Sequence, residues 1–191
     1  MQDKLGKPVS SGRLEAFSDG VIAVIITLMV LELPKPHGAT LDSLRPIVPS
    51  FLVYVFSFRI IATYWNNHHH LFIPRAANVT PRIMWFNLHF LFWLSLVPFF
   101  TGWLGEYYTQ SWPTACFAIL LLITALSYQF LQHAVRHLEE SSGKTGGIGA
   151  KGAISLACYV LAIPAAFMYP LISDALFVIV AAIWFVPESR R

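Results

Sequence analysis

Charge is what this chain has least of: Asp, Glu, Lys and Arg together make up 12% of its 191 residues, against 56% hydrophobic residues. Mean hydropathy is +0.60, and apolar runs of about 20 residues recur along the sequence. That balance excludes a water-soluble domain and points to an all-α integral membrane protein. Cysteine is equally scarce. Cys116 and Cys158 both lie inside apolar segments and read as small hydrophobes, so neither a disulfide nor a redox role is assigned. A secretory leader is not expected: the first apolar run follows a charged segment, is too long for a leader's apolar core and lacks a small-residue cleavage site. The sequence pI near 9.0 does not signal nucleic-acid binding, because the basic residues are spread over four separate loops or tails.

Apolar windows and their polar breaks predict six membrane-spanning helices, about 13–33, 46–73, 82–105, 112–137, 152–170 and 172–187, in a single domain over 1–191. The breaks carry turn chemistry, from Pro34 to Gly38, Pro74 to Pro81, Gly105 to Pro113, the glycine-rich 141–149 segment, and Pro170. Lys and Arg set the orientation. With a cytoplasmic amino terminus, Lys4, Lys7, Arg13, Arg75, Arg82, Arg136, Lys144, Lys151, Arg190 and Arg191 fall inside, and only Lys35 and Arg45 outside. Both termini are therefore expected in the cytoplasm, with basic loops touching anionic lipid. The Asn78-Val-Thr80 triplet resembles a glycosylation acceptor, but this topology places it inside.

Polar residues gather at one depth. Asp19, six residues beyond Arg13, and His70, five before Arg75, each lie roughly 8 to 9 Å inside the inner boundary, and His89 and Asn87 reach a similar level on the third span. Buried polar groups in a membrane need partners, so Arg13, Ser18, Asp19, Asn66, His68, His69, His70, Asn87 and His89 are expected to form one interhelical hydrogen-bond network. The competing reading is a histidine-bearing membrane metal-binding protein or oxidoreductase. Adjacent histidines on a helix point about 100° apart, however, so the triplet cannot give three ligands to one ion without unwinding. His133 and His137 share a helix face, but no second such pair and no Glu-x-x-His motif accompanies them; no metal is assigned. Arg59 falls near the middle of the second span, where it must face protein or water. Either it pairs, for instance with Glu32, or the span tilts and begins near Val53.

After Asp19 the first span is apolar on every side, which is how a fully buried helix reads. Gly20, Val24, Thr27 or Leu28, and Leu31 form one continuous stripe, with Thr27 its only hydroxyl, although Thr27 could equally bond back to the Ala23 carbonyl. Periodicity does not choose the face. A secondary transporter is disfavoured, because the spans show no inverted repeat and the first has no Gly/Pro break.

Three motifs then carry a resemblance. Arg13-Leu-Glu-Ala-Phe-Ser-Asp-Gly20, Tyr64-Trp-Asn-Asn-His-His-His-Leu-Phe72 and Leu96-Val-Pro-Phe-Phe-Thr101, in this order, resemble the prokaryotic branch of the transmembrane-protein-175 family of potassium channels. The motifs cover about half the chain, and no Thr-Val-Gly-Tyr-Gly filter occurs. The resemblance implies a homotetramer of six-helix subunits in the cell (plasma) membrane, surrounded by lipid, with four first helices lining a pore for potassium and other monovalent cations. It implies no enzyme activity and no cofactor. It places Val24 at the narrowest apolar ring, Thr27 as the ion-selectivity hydroxyl, and Leu28 and Leu31 beyond; family members commonly carry the larger Ile or Leu at the Val24 position. Arg13 to Asp19 would then anchor the helix.

Overall fold

The computed structural model describes residues 9–72, 78–140 and 149–185. Helix α1 (Ser11–Met29) continues through a 3₁₀ turn, Val30–Glu32, and a second such turn, Leu41–Ile47, leads into α2 (Val48–Phe72). Then follow α3 (Pro81–Ser95), α4 (Val97–Glu106), α5 (Ser111–Glu140), α6 (Ala150–Met168) and α7 (Pro170–Phe185). Five segments are long and apolar enough to cross a membrane: Ser11–Glu32, Leu41–Phe72, Pro81–Glu106, Ser111–Arg136 and Ala150–Met168. The described part of the last helix has 16 residues, about 24 Å of rise.

Two features depart from the expected plan. The third span is two helices, broken at Leu96, because the Pro98 ring would collide with the Leu94 carbonyl one turn back. The all-α expectation also missed a two-residue antiparallel pair, Val9–Ser10 with Asn78–Val79, which brings the starts of α1 and α3 side by side. Thr80 then caps α3, its Oγ1 accepting from Ile83 N–H at 3.4 Å with Pro81 opening the helix.

Two apolar clusters hold the bundle. Ile22, Ile25, Met29, Ile61, Phe90 and Leu94 pack α1, α2 and α3 together; Ile60, Phe117, Leu121, Tyr159, Phe177 and Val180 pack α2, α5, α6 and α7. Small residues set the closest approach. A Cβ on Gly105 would lie 3.1 Å from the Ser50 Cα, and Ser50 Oγ–H donates to the Gly105 carbonyl at 2.8 Å. A Cβ on Gly102 would likewise lie 2.8 Å from a Glu32 carboxylate oxygen. Alternation of the helices puts Arg13, Arg82, Arg136 and Lys151 at one end of the bundle and Lys35 and Arg45 at the other. Lys4, Lys7, Arg75, Lys144, Arg190, Arg191 and the side chains of Asn78 and His137 lie outside the described residues.

Candidate functional site

Packing gives α1 two unlike faces. Leu14, Ser18, Ile22, Ile25 and Met29, spaced three or four residues apart, are buried against the rest of the subunit. On the opposite side Gly20, Val24, Thr27, Leu28 and Leu31 are exposed, with Val24 at 55%, Leu28 at 46% and Leu31 at 75%. Thr27 Oγ1–H donates to the Val24 carbonyl at 2.9 Å, three residues back rather than to Ala23. That bond occupies the only hydroxyl proton and leaves the oxygen lone pairs as acceptors.

Behind this face, three helices meet in a buried relay. Ser18 Oγ–H donates to the Leu14 carbonyl at 2.8 Å, Asn87 Nδ2 donates to Ser18 Oγ at 2.9 Å, and His68 Nε2 lies 2.8 Å from Asn87 Oδ1. Ser18, Asn87 and His68 are wholly buried. The Leu14 carbonyl fixes every role in the chain. It can only accept, so the Ser18 proton points to it; the Ser18 oxygen then accepts from the Asn87 amide nitrogen, and the Asn87 oxygen must receive a proton from His68 Nε2. The His68 ring itself lies between Phe72, at a 4.8 Å centroid distance, and Phe90, at 6.2 Å.

One helical turn separates two further contacts along α1 and α2. His69 Nδ1 lies 2.8 Å from Glu15 Oε1, and Trp65 Nε1–H donates to Asp19 Oδ1 at 3.0 Å. The Trp65 and His69 rings stack at 5.9 Å and 9°. Glu15 and Trp65 were not among the residues expected in the network. Their signal was present, since Glu15 precedes Asp19, and Trp65 precedes His69, by four residues on one helix face.

The other expected members lie elsewhere. Arg13 and Asn66 are exposed, and Asp19 takes its hydrogen bond from Trp65 rather than from Arg13. His70 is exposed and borders a cavity with Arg136 and Lys151. His89 is exposed, and its Nε2 accepts from Trp93 Nε1–H at 3.1 Å within α3. His68, His69 and His70 thus point in three directions. Among the described residues, no group of three His, Cys, Asp or Glu is placed to hold a metal ion. Arg59 lines a cavity with Thr63, Tyr64 and Gln129, whereas Glu32 lines a different one beside Ser50 and Gly102.

The Trp65 bond gives an immediate test. Asp19→Asn keeps an oxygen acceptor, so thermal stability should hardly change, whereas Asp19→Leu, which removes the partner of an exposed indole N–H, should cost about 0.5 to 1.5 kcal/mol. Melting curves in detergent would show the difference. An equal loss in both variants would mean that the carboxylate charge matters, not its hydrogen bond.

The family described as endosomal/lysosomal potassium channel TMEM175 matches residues 13–98, which run from α1 to the start of α4. A potassium channel of Chryseobacterium sp. (strain P1-3) is 46% identical over 185 residues, covering 95% of this chain and 96% of its own length. The human endosomal/lysosomal proton channel TMEM175 is 37% identical over 81 residues, which is 36% of this chain and 16% of the human protein. The crystal structure of a lysosomal potassium-selective channel TMEM175 homolog from Chamaesiphon minutus superposes with a TM-score of 0.77 at 29% identity, covering 92% of this chain and 96% of that one. These relatives are ion channels, not enzymes. Sharing sequence over nearly its full length with one of them and its backbone with another, the chain belongs to the TMEM175 family of channels.

Proposed function

We propose that the chain is a potassium-permeable, weakly selective cation channel: a homotetramer in the cell (plasma) membrane, each subunit one six-helix domain over 1–191 with both termini cytoplasmic. The α1 stripe carries this reading. It is the one side of α1 that the subunit does not cover, it holds Val24, Thr27, Leu28 and Leu31, and the same stripe from three other copies would enclose a pore. Lipid covers the remaining apolar exterior. The names of the bacterial relatives as potassium channels support the same conclusion.

From Val24 to Leu31 the path would be apolar for about 10 Å. A cation cannot shed its water into hydrocarbon, so rings of Val24, Leu28 and Leu31 stop ions by dewetting. Thr27 interrupts the barrier. Its proton is held by the Val24 carbonyl, so four hydroxyl oxygens present lone pairs and replace part of the lost hydration. Four neutral oxygens in one layer are fewer than a multi-site carbonyl filter offers, so discrimination between potassium and sodium is modest. The conduction needs no cofactor. Behind the pore, Ser18, Asn87 and His68, with the Glu15–His69 and Asp19–Trp65 contacts, hold α1 against α2 and α3.

Reconstitution into planar bilayers, with reversal potentials measured under opposed potassium and sodium gradients, tests the reading. Wild type should pass cation current with a moderate preference for potassium; Thr27→Ala should conduct with that preference eroded toward unity, and Thr27→Ser should retain it. Absence of current from folded, reconstituted tetramers would sink the channel assignment. Unchanged selectivity in Thr27→Ala would remove Thr27 from the selectivity layer.

A further inference from the structure

A cleft enters the bundle between α2, α5, α6 and α7, at the end where α2 finishes and α6 begins. Its mouth is a cavity of about 280 Å³ bordered by His70, Arg136, Lys151 and Trp184. Asn67, Gln129 and Gln132 line both the mouth and a narrower extension of about 50 Å³ that reaches Arg59. The mouth equals the volume of roughly nine water molecules, the extension one or two. The mouth has room for a small polar group.

The lip of the mouth is held in place. Lys151 Nζ stands 5.7 Å from the Trp184 ring centroid, and Trp184 Nε1–H donates to Ser155 Oγ at 3.0 Å. The first turn of α6 opens into the same mouth through Gly149 and Gly152, and Gly149 gives it no side-chain cap, so its N–H groups add to the donors. One turn along α6 from Lys151, Ile154 is 45% exposed on the outer surface. Basic side chains, amide donors and an uncapped helix start thus lie at the edge of the hydrocarbon, beside an interfacial tryptophan and an apolar outer wall.

We infer that this cleft binds the phosphate of an anionic membrane lipid, with Arg136 and Lys151 on the phosphate and the acyl chains lying outside against α6. A soluble phosphate ester would present the same chemistry to the mouth. The exposed Ile154 beside it favours the lipid. The inference goes beyond the pore reading and does not depend on it.

Native mass spectrometry of the full-length protein, taken from vesicles of phosphatidylcholine mixed with phosphatidylglycerol, reads the site directly. Wild type should retain phosphatidylglycerol in preference to phosphatidylcholine. Arg136→Gln and Lys151→Gln should each weaken retention roughly fivefold, while Lys151→Arg should preserve it, and added inorganic phosphate should not displace the lipid. Unchanged retention in the Arg136→Gln/Lys151→Gln double variant would overturn the site, and displacement by inorganic phosphate would overturn the lipid assignment. If the double variant fails to fold, Gln132→Leu supplies the test: it should lower retention, and no change would count against the cleft.

Discussion

Replacing Val24 with alanine should raise potassium leak about tenfold or more while leaving the fold intact. Val24 is 55% exposed within the subunit, so its truncation removes little packing. In the proposed pore the same change strips two methyl groups from each of four copies at the narrowest ring. A barrier drop of only about 1.4 kcal/mol is a tenfold gain in rate, and valine is already smaller than the Ile or Leu that family members commonly carry there. Ile25 is the control. It is the next residue, but 3% exposed and packed in the core, so Ile25→Ala should cost about 2 to 4 kcal/mol of stability. Bilayer leak and thermal melting measured on both variants separate the two faces. A stable Val24→Ala protein with wild-type leak would mean that Val24 lies outside the constriction.

Asn87→Leu should produce the largest loss of stability among the polar positions, about 2 to 3 kcal/mol. Leucine is close to asparagine in size, so little of this comes from a cavity. The loss is in hydrogen bonding: one substitution takes the acceptor from His68 Nε2–H and the donor from Ser18 Oγ, both wholly buried. Single hydrogen bonds inside membrane proteins average about 0.6 kcal/mol and reach about 1.7. Two broken together, with a buried imidazole N–H left unpaired, add to about 2 to 3 kcal/mol, more than any single bond supplies. Ser18→Ala should cost less, since Asn87 still holds His68. Once Asn87 is gone, removing the Ser18 hydroxyl should add almost nothing, so the two changes are strongly non-additive. Denaturation of the two single variants and the double variant provides the cycle, and additive losses would show that the three side chains do not act as one relay.

The polar layer shows how far residue order alone reaches. Helical rise brought Ser18, His68 and Asn87 to one depth, and 100° steps forbade the histidine triplet from converging; the structure sends His68 into the core, His69 to Glu15 and His70 outward. Depth, however, does not determine azimuth. Asn66 and His89 belong to the same polar layer and still face away, as does Arg13 at its boundary, because the rotation of each helix is decided by the apolar stripe it buries, not by its polar residues. Glu15 and Trp65 were missed for the complementary reason: each lay one turn from a residue already singled out, and only the antiparallel register of α1 and α2 matches the two pairs. The Val9–Ser10 pairing with Asn78–Val79 was equally hidden, since two residues carry no strand periodicity.

Membrane residence, the approximate bounds of the helices and the break chemistry between them followed from the sequence by itself, because transfer to lipid depends on composition over a window and not on neighbours. The break before Pro98 was not among the expected ones, although its cause, a missing N–H and a ring that crowds the preceding turn, is local. The face of α1 did not follow from the sequence. Its residues from Val21 to Leu31 are apolar almost throughout, so no one-dimensional pattern separates Ile25 from Val24. Only packing against α2 and α3 separates them, by burying Ile22, Ile25 and Met29 and leaving Val24, Thr27, Leu28 and Leu31 uncovered. In a solvent as apolar as the side chains themselves, shape complementarity and a few buried hydrogen bonds orient a helix, and both exist only once the helices have met.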